Sequence, residues 1–180
     1  MAIKFTDIEF LPNNGRKMNL VSAKGVFDPN TTTELLINAT KKTISKPKKM
    51  LDLGCGTGRA LATLCAAGYR GLAVDLSWPM LNVVQQKIEK ADLPIHCVRA
   101  NMVELDVLAT DSVEHCICLF STLGMIQGRE NRRQALQHMA RITRSGGSCV
   151  LHVHNVWFNL YDPGGPWWLL KNIVRSCFLK

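Results

Sequence analysis

The stretch Met50-Leu51-Asp52-Leu53-Gly54-Cys55-Gly56-Thr57-Gly58-Arg59 constrains this chain more than any other, because it joins a short apolar run to a helix pattern through three alternating glycines. Glycine reaches positive φ at no steric cost, so the spacing predicts a sharp turn between strand and helix that a bound group can approach closely. Asp75 follows Gly54 by 21 residues, at the end of a second apolar run, Gly71-Leu72-Ala73-Val74. A carboxylate at that point can accept hydrogen bonds from both hydroxyls of a ribose.

The glycine order also excludes. A dinucleotide fingerprint reads G-x-G-x-x-G, but its last position, counted from Gly54, is Arg59. A P-loop needs G-x-x-x-x-G-K-[ST], and neither its final glycine nor its lysine is present. What remains is an acidic residue followed by alternating glycines, Asp52-Leu53-Gly54-Cys55-Gly56-Thr57-Gly58. This closely resembles the first motif of class I S-adenosylmethionine-dependent methyltransferases.

The resemblance implies S-adenosyl-L-methionine as the cofactor and assigns its contacts. Asp52, Gly54, Cys55, Gly56 and Gly58 would hold the amino-acid part, and Asp75 with Leu76 the ribose. Val98-Arg99-Ala100-Asn101-Met102 resembles the end of the family's third strand, which puts Asn101 and Met102 against adenine. Asn101 stands where Asp is commoner; its amide still offers a donor and an acceptor. Cys116 to Gly124 looks like the fourth strand and the loop facing the methyl-donor centre, which brings in Phe120. Arg144-Ser145-Gly146-Gly147 resembles the helix-end glycine pair before the fifth strand, so the likeness covers roughly residues 20 to 160.

Patterning predicts an alternation of strands and helices. Thr31-Thr32-Thr33-Glu34 has capping-box spacing ahead of Leu35-Leu36-Ile37. Strands are expected at Lys49–Leu53, Gly71–Asp75, Ile95–Arg99, His115–Phe120 and Cys149–His154. Between them fall a helix from Ala60 to a Gly68 cap, one capped by Ser77 with Met80, Leu81, Val84 and Ile88 on its apolar face, a short helical piece at Val103–Leu108, and one from Arg129 to Thr143 burying Leu136, Met139 and Ala140. Such an order argues for an α/β, doubly wound, mainly parallel sheet whose ligands bind at the carboxyl ends of the strands. The division expected is an N-terminal helical cap over 1–45, the cofactor-binding domain over 46–160 and a C-terminal helix over 161–180. The family's sheet has seven strands. After His154 the sequence offers no last pair, so the fold is expected to lack two strands and the chain reads as truncated.

Composition narrows the partners. With 47% hydrophobic residues over 180 positions the chain can bury a sizeable core, and no stretch has the length or apolarity of a membrane span or secretory signal. Seven cysteines, mostly within apolar patterns, suggest a reducing compartment and a cytoplasmic protein; without a C-x-x-C pair, no metal site is expected. The formal charge of +8 is uneven: residues 1–50 carry nine Lys/Arg against four acids, residues 51–127 five against eight. The basic groups at Lys41-Lys42, Lys46 to Lys49 and Arg129 to Arg144 lack interleaved aromatics, which disfavours a nucleic-acid platform. The Asn/Asp-Pro-Pro-aromatic motif of base-modifying relatives is absent at Phe120-Ser121-Thr122-Leu123.

The expected activity is methyl transfer to a small molecule, with a non-catalytic cofactor-binding protein as the alternative and an RNA or DNA methyltransferase ranked lower. Ser121, Thr122, His154 and Asn155 are the side chains near the donor centre, and His154 is the candidate base because it lies nearer the ligand edge than His152. Phe27-Asp28 resembles a pair that closes over the cofactor in relatives. Trp157, Tyr161, Trp167 and Trp168 suit an apolar substrate pocket, an ordinary core or a dimer contact, and an exposed apolar C-terminal helix would favour self-association.

Overall fold

The computed structural model describes residues 5–10, 18–23, 29–44, 48–154 and 165–178. Five strands, β3 (Lys49–Leu53), β4 (Arg70–Asp75), β5 (Ile95–Arg99), β6 (Val113–Cys118) and β7 (Thr143–Leu151), form one parallel sheet in the order β5-β4-β3-β6-β7. Helices α2 (Arg59–Ala66), α3 (Trp78–Ala91) and α5 (Arg129–Ile142) connect them, with a four-residue turn of helix, α4 (Thr122–Met125), after β6. The chain reverses direction across the sheet between β3 and β6, the kind of switch point at which open parallel sheets bind ligands.

Side-chain alternation along each strand gives the sheet two buried faces. Met50, Ala73, Ile117 and Val150 pack under Leu61 and Leu64 of α2, Leu81 and Val84 of α3 and Leu36 and Ile37 of α1 (Pro29–Thr43). Leu51, Leu53, Val74, Cys116, Cys118, Cys149 and Leu151 pack against Ala135, Met139 and Ile142 of α5. Asp52 lies on the first face, in line with Met50. The described cysteines are free thiols, with Cys65, Cys116, Cys118 and Cys149 buried and Cys55 and Cys97 half-buried.

Several expectations change at element ends. The region before α1 holds an antiparallel hairpin, β1 (Phe5–Phe10) with β2 (Met18–Ala23), and β2 lies against β7. Helix α1 begins at Pro29, so Thr31 to Glu34 sit within it rather than capping it; proline suits a first turn because its missing N–H is unneeded there. Ser77 stands at the N-cap of α3 without a side-chain bond to the helix, and Met80 is exposed. Val103–Leu108 is a run of turns, not a helix. Its carbonyls are taken by side chains of α5: His138 Nε2 lies 3.2 Å from Val103 O, and the Arg141 guanidinium donates to Leu105 O and Leu108 O at 2.8 and 2.7 Å.

Strand β6 starts earlier than predicted, at Val113, and stops earlier because Phe120 and Ser121 leave the extended region. Strand β7 begins directly at the end of α5 and takes in the glycine pair: Val113 pairs with Thr143 but His115 with Ser148, so β7 bulges. A Cβ on Gly147 would strike the Glu114 carbonyl, which explains glycine there. Helix α6 (Gly165–Phe178) presents Trp167, Trp168, Leu170, Ile173 and Val174 to solvent. Phe27-Asp28, Asn155, Trp157 and Tyr161 lie outside the described residues.

Candidate active site

The turn after β3 is built from backbone. Gly54, Gly56 and Gly58 all have positive φ, at 68°, 53° and 68°. The N–H groups of Gly54 and Cys55 both reach Val74 O on β4, at 2.8 and 3.1 Å, and Lys87 Nζ from α3 donates to Thr57 O at 2.7 Å. The three glycines differ in what surrounds them. A Cβ on Gly54 would run into the Thr122 side chain, and one on Gly58 would come within 2.9 Å of Val84. A Cβ on Gly56 would meet nothing within 4 Å. Packing therefore explains the outer two, and the middle one opens onto space.

Two carboxylates belong to the strands beside the turn, Asp52 in β3 and Asp75 at the end of β4. Asp75 Oδ2 accepts the Gly56 N–H and Oδ1 the Ser77 N–H, both at 2.8 Å, so the residue predicted to hold a ribose also pins the glycine turn. Each ionised oxygen keeps a second lone pair for a ligand hydroxyl. Asp52 is 3% exposed. Burial and the neighbouring Asp75 charge push its carboxyl up to about 7. Burial and the same two acids also raise Cys55, which stays a neutral thiol and donates to Gly56 O.

The remaining predicted contacts extend to either side. Beyond β5, Asn101 commits its side-chain oxygen to the Val103 N–H at 3.2 Å, Met102 is buried and Leu76 is exposed. Beyond β6, Phe120 has φ 54° and its ring lies under the Arg59 guanidinium, 5.2 Å from the centroid. Ser121 follows with φ 59° and is 5% exposed; its Oγ is 3.4 Å from His152 Nδ1. Thr122 Oγ1 donates to Leu119 O at 2.8 Å and reaches Gly54 O at 3.5 Å, which joins this loop to the glycine turn. His152 is half-buried, and burial with the nearby His154 lowers its pKa. His154 is exposed, its ring 6.0 Å from that of His152. Sequence reasoning missed the Arg59–Phe120 stack and the Ser121–His152 pair; the period-two spacing of His152 and His154 was the available signal for the second. Among the described residues, no cluster of three or more His, Cys, Asp or Glu is placed to hold a metal, and no helix is long and apolar enough to cross a membrane.

Residues 50–147 match the family model described as a methyltransferase domain, which is more than half of the chain. The chain belongs to this family. Among curated relatives it is 29% identical over 111 residues to a protein of Geobacillus sp. named as a methyltransferase, covering 61% of this chain and 44% of that one. An S-adenosylmethionine-dependent methyltransferase from Clostridium acetobutylicum superposes with a TM-score of 0.63 at 19% identity, covering 72% of this chain and 52% of the other. A SAM-bound amino pentose methyltransferase from Micromonospora echinaspora superposes with a TM-score of 0.57 at 22% identity, covering 68% and 50%. These structures share the class I methyltransferase fold with this methyltransferase-domain chain. The chain spans about half the length of the curated relatives it matches.

Proposed function

We propose that this methyltransferase-family chain binds S-adenosylmethionine across the carboxyl ends of β5, β4, β3 and β6 and serves methyl transfer to a small molecule. The observation that carries the reading is the open space at Gly56, whose N–H is held by the Asp75 carboxylate. The donor set fits the group. Asp75 offers lone pairs to ribose hydroxyls, the Asn101 amide reaches toward the base, and Asp52 offers a negative charge to an α-ammonium that would draw its proton off. When bound, the cofactor supplies an electrophilic methyl on a sulfonium. The protein's contribution is orientation of that methyl against the acceptor and exclusion of water.

A small-molecule acceptor is supported by the amino pentose methyltransferase among the neighbours in fold. The nucleic-acid reading loses support from three of the arginines of α5 and β7, whose guanidinium groups bond to other parts of the protein. Arg132 donates to Ile126 O, Arg141 to Leu105 O and Leu108 O, and Arg144 to Asp111 O and Glu114.

Calorimetric titration of the folded chain with S-adenosylmethionine, and separately with its demethylated product, tests the reading. Saturable binding is expected, and Gly56→Val should abolish it; the added side chain meets no neighbour but is strained at φ 53°, so circular dichroism of the variant checks that the fold is kept. A folded wild-type chain that takes up neither ligand overturns the proposal.

A further inference from the structure

The carboxyl ends of β6 and β7 hold a side-chain pair that the cofactor contacts leave unused. Given the sheet order, the ribose and base residues lie over β4 and β5, on the opposite side of β3 from β6 and β7. Whatever accepts the methyl therefore approaches from the β6–β7 side. There Ser121 is buried and lies within hydrogen-bond reach of His152, immediately before Thr122, which touches the glycine turn. Two consecutive non-glycine residues, Phe120 and Ser121, hold left-handed backbone at this point. Such strain persists only where the surroundings enforce it, and it clusters at functional sites.

We infer that His152 is the base that takes the acceptor's proton, and that Ser121 Oγ accepts a hydrogen bond from its Nδ1–H so that Nε2 is the open nitrogen. The inference rests on the proposed transfer reading and adds to it the acceptor class: a small molecule whose nucleophile carries a proton to be lost, an amine or a hydroxyl. The acceptor lone pair forms the bond to the methyl carbon, and the carbon–sulfur bond breaks with its electron pair going to sulfur. The acceptor's proton goes to His152 Nε2. The resulting imidazolium keeps its Nδ1–H on Ser121 and returns the Nε2 proton to solvent.

The surroundings keep His152 neutral beforehand. Half-burial disfavours the imidazolium, and the charge of His154 on its own segment adds to this; His154 is the ionisable group acting on His152 among the described residues. From β6, Cys118 meets it through a backbone bond, His152 N–H to Cys118 O at 3.0 Å, and that thiol is pushed up to about 12 and is neutral. The Ser121 contact is long at 3.4 Å, as catalytic hydrogen bonds often are before substrate binds.

The test measures formation of the demethylated cofactor with alkylamines, amino sugars and phenols as separate acceptor arms, for wild type, His152→Ala, His152→Asn, Ser121→Ala and a His96→Asn control on the exposed side of β5. At least one arm should turn over in wild type, with kcat rising through a midpoint below 6.5 and flat above it. Either His152 variant should bind cofactor normally and lose about a hundredfold in kcat. Added imidazole should restore part of the activity of His152→Ala, and Ser121→Ala should shift the midpoint with a smaller loss. Turnover whose pH profile His152→Asn leaves unchanged overturns the inference alone, whereas cofactor binding with no turnover in any arm counts against the transfer reading and the inference together. Failure of wild type to bind cofactor defeats the transfer reading and this inference with it.

Discussion

Two turns stand side by side at the carboxyl ends of β3 and β6, and they reach the same left-handed backbone by opposite means. The β3 turn uses glycine at 54, 56 and 58; the β6 turn forces Phe120 and Ser121 into φ values of 54° and 59°. A glycine turn costs little and leaves room for a ligand. The other turn spends energy, and in return it delivers side chains, an aromatic ring under Arg59 and a hydroxyl against His152. The first shapes a cradle and the second arms it.

Substitutions can break the contrast or sharpen it. The largest effect is expected from Gly54→Val, where a branched residue in left-handed backbone also collides with Thr122; left-handed strain and overpacking together cost on the order of 3 kcal/mol. Denaturant unfolding should show that loss, and cofactor binding should disappear with it. Asp75→Ala comes next, because the Gly56 and Ser77 N–H groups lose a charged acceptor. We expect a loss of about 1.5–3 kcal/mol in cofactor binding, read by calorimetry, with faster amide exchange at Gly56.

Asp52 gives an effect graded by pH, spread over the interval between its unfolded and folded pKa values. Its folded pKa of about 7 is raised above the ordinary carboxylate value, so the folded chain keeps a proton that the unfolded chain releases. The associated stability is fully present below about pH 4 and is lost as pH rises to 7, with a slope of at most about 1.4 kcal/mol per pH unit. Thermal melts of the ligand-free protein from pH 5 to 8 should show this slope, and Asp52→Asn should flatten it. The smallest effect belongs to the β6 turn. Ser121→Gly relieves left-handed strain while giving up backbone entropy and a long hydrogen bond, for a net gain of about 0.5 kcal/mol in unfolding free energy.

The same contrast explains what could be read from the chain. Lys49–Leu53, the glycine turn and Asp75 were legible because glycine and a strand-end acid are direct imprints of backbone need, and Ile95–Arg99 because an edge strand sets exposed His96 and Arg99 among its apolar residues. The ends of β6 and β7 were misplaced by several residues. Phe120 and Ser121 look like ordinary strand continuation, and Gly146-Gly147 looks like a helix terminator although its reason is the Glu114 carbonyl across the sheet. The hairpin of β1 and β2 escaped because its pattern was absorbed into an expected helical segment, and the Val103–Leu108 turns because their partners, His138 and Arg141, lie more than thirty residues away. Local chemistry writes itself into local sequence; acceptors supplied by distant side chains do not.

The distribution of thiols has a practical consequence. Burial holds Cys65 and Cys118 near 12 and raises Cys55, Cys97 and Cys116, so in the folded chain these sulfurs stay protonated at alkaline pH where an unfolded cysteine would already react. Alkylation rates at each sulfur thus become a clock of local opening. Cys55 times the glycine turn, Cys65 times α2, Cys97 times β5, and Cys116 and Cys118 time the strand that ends in the strained loop.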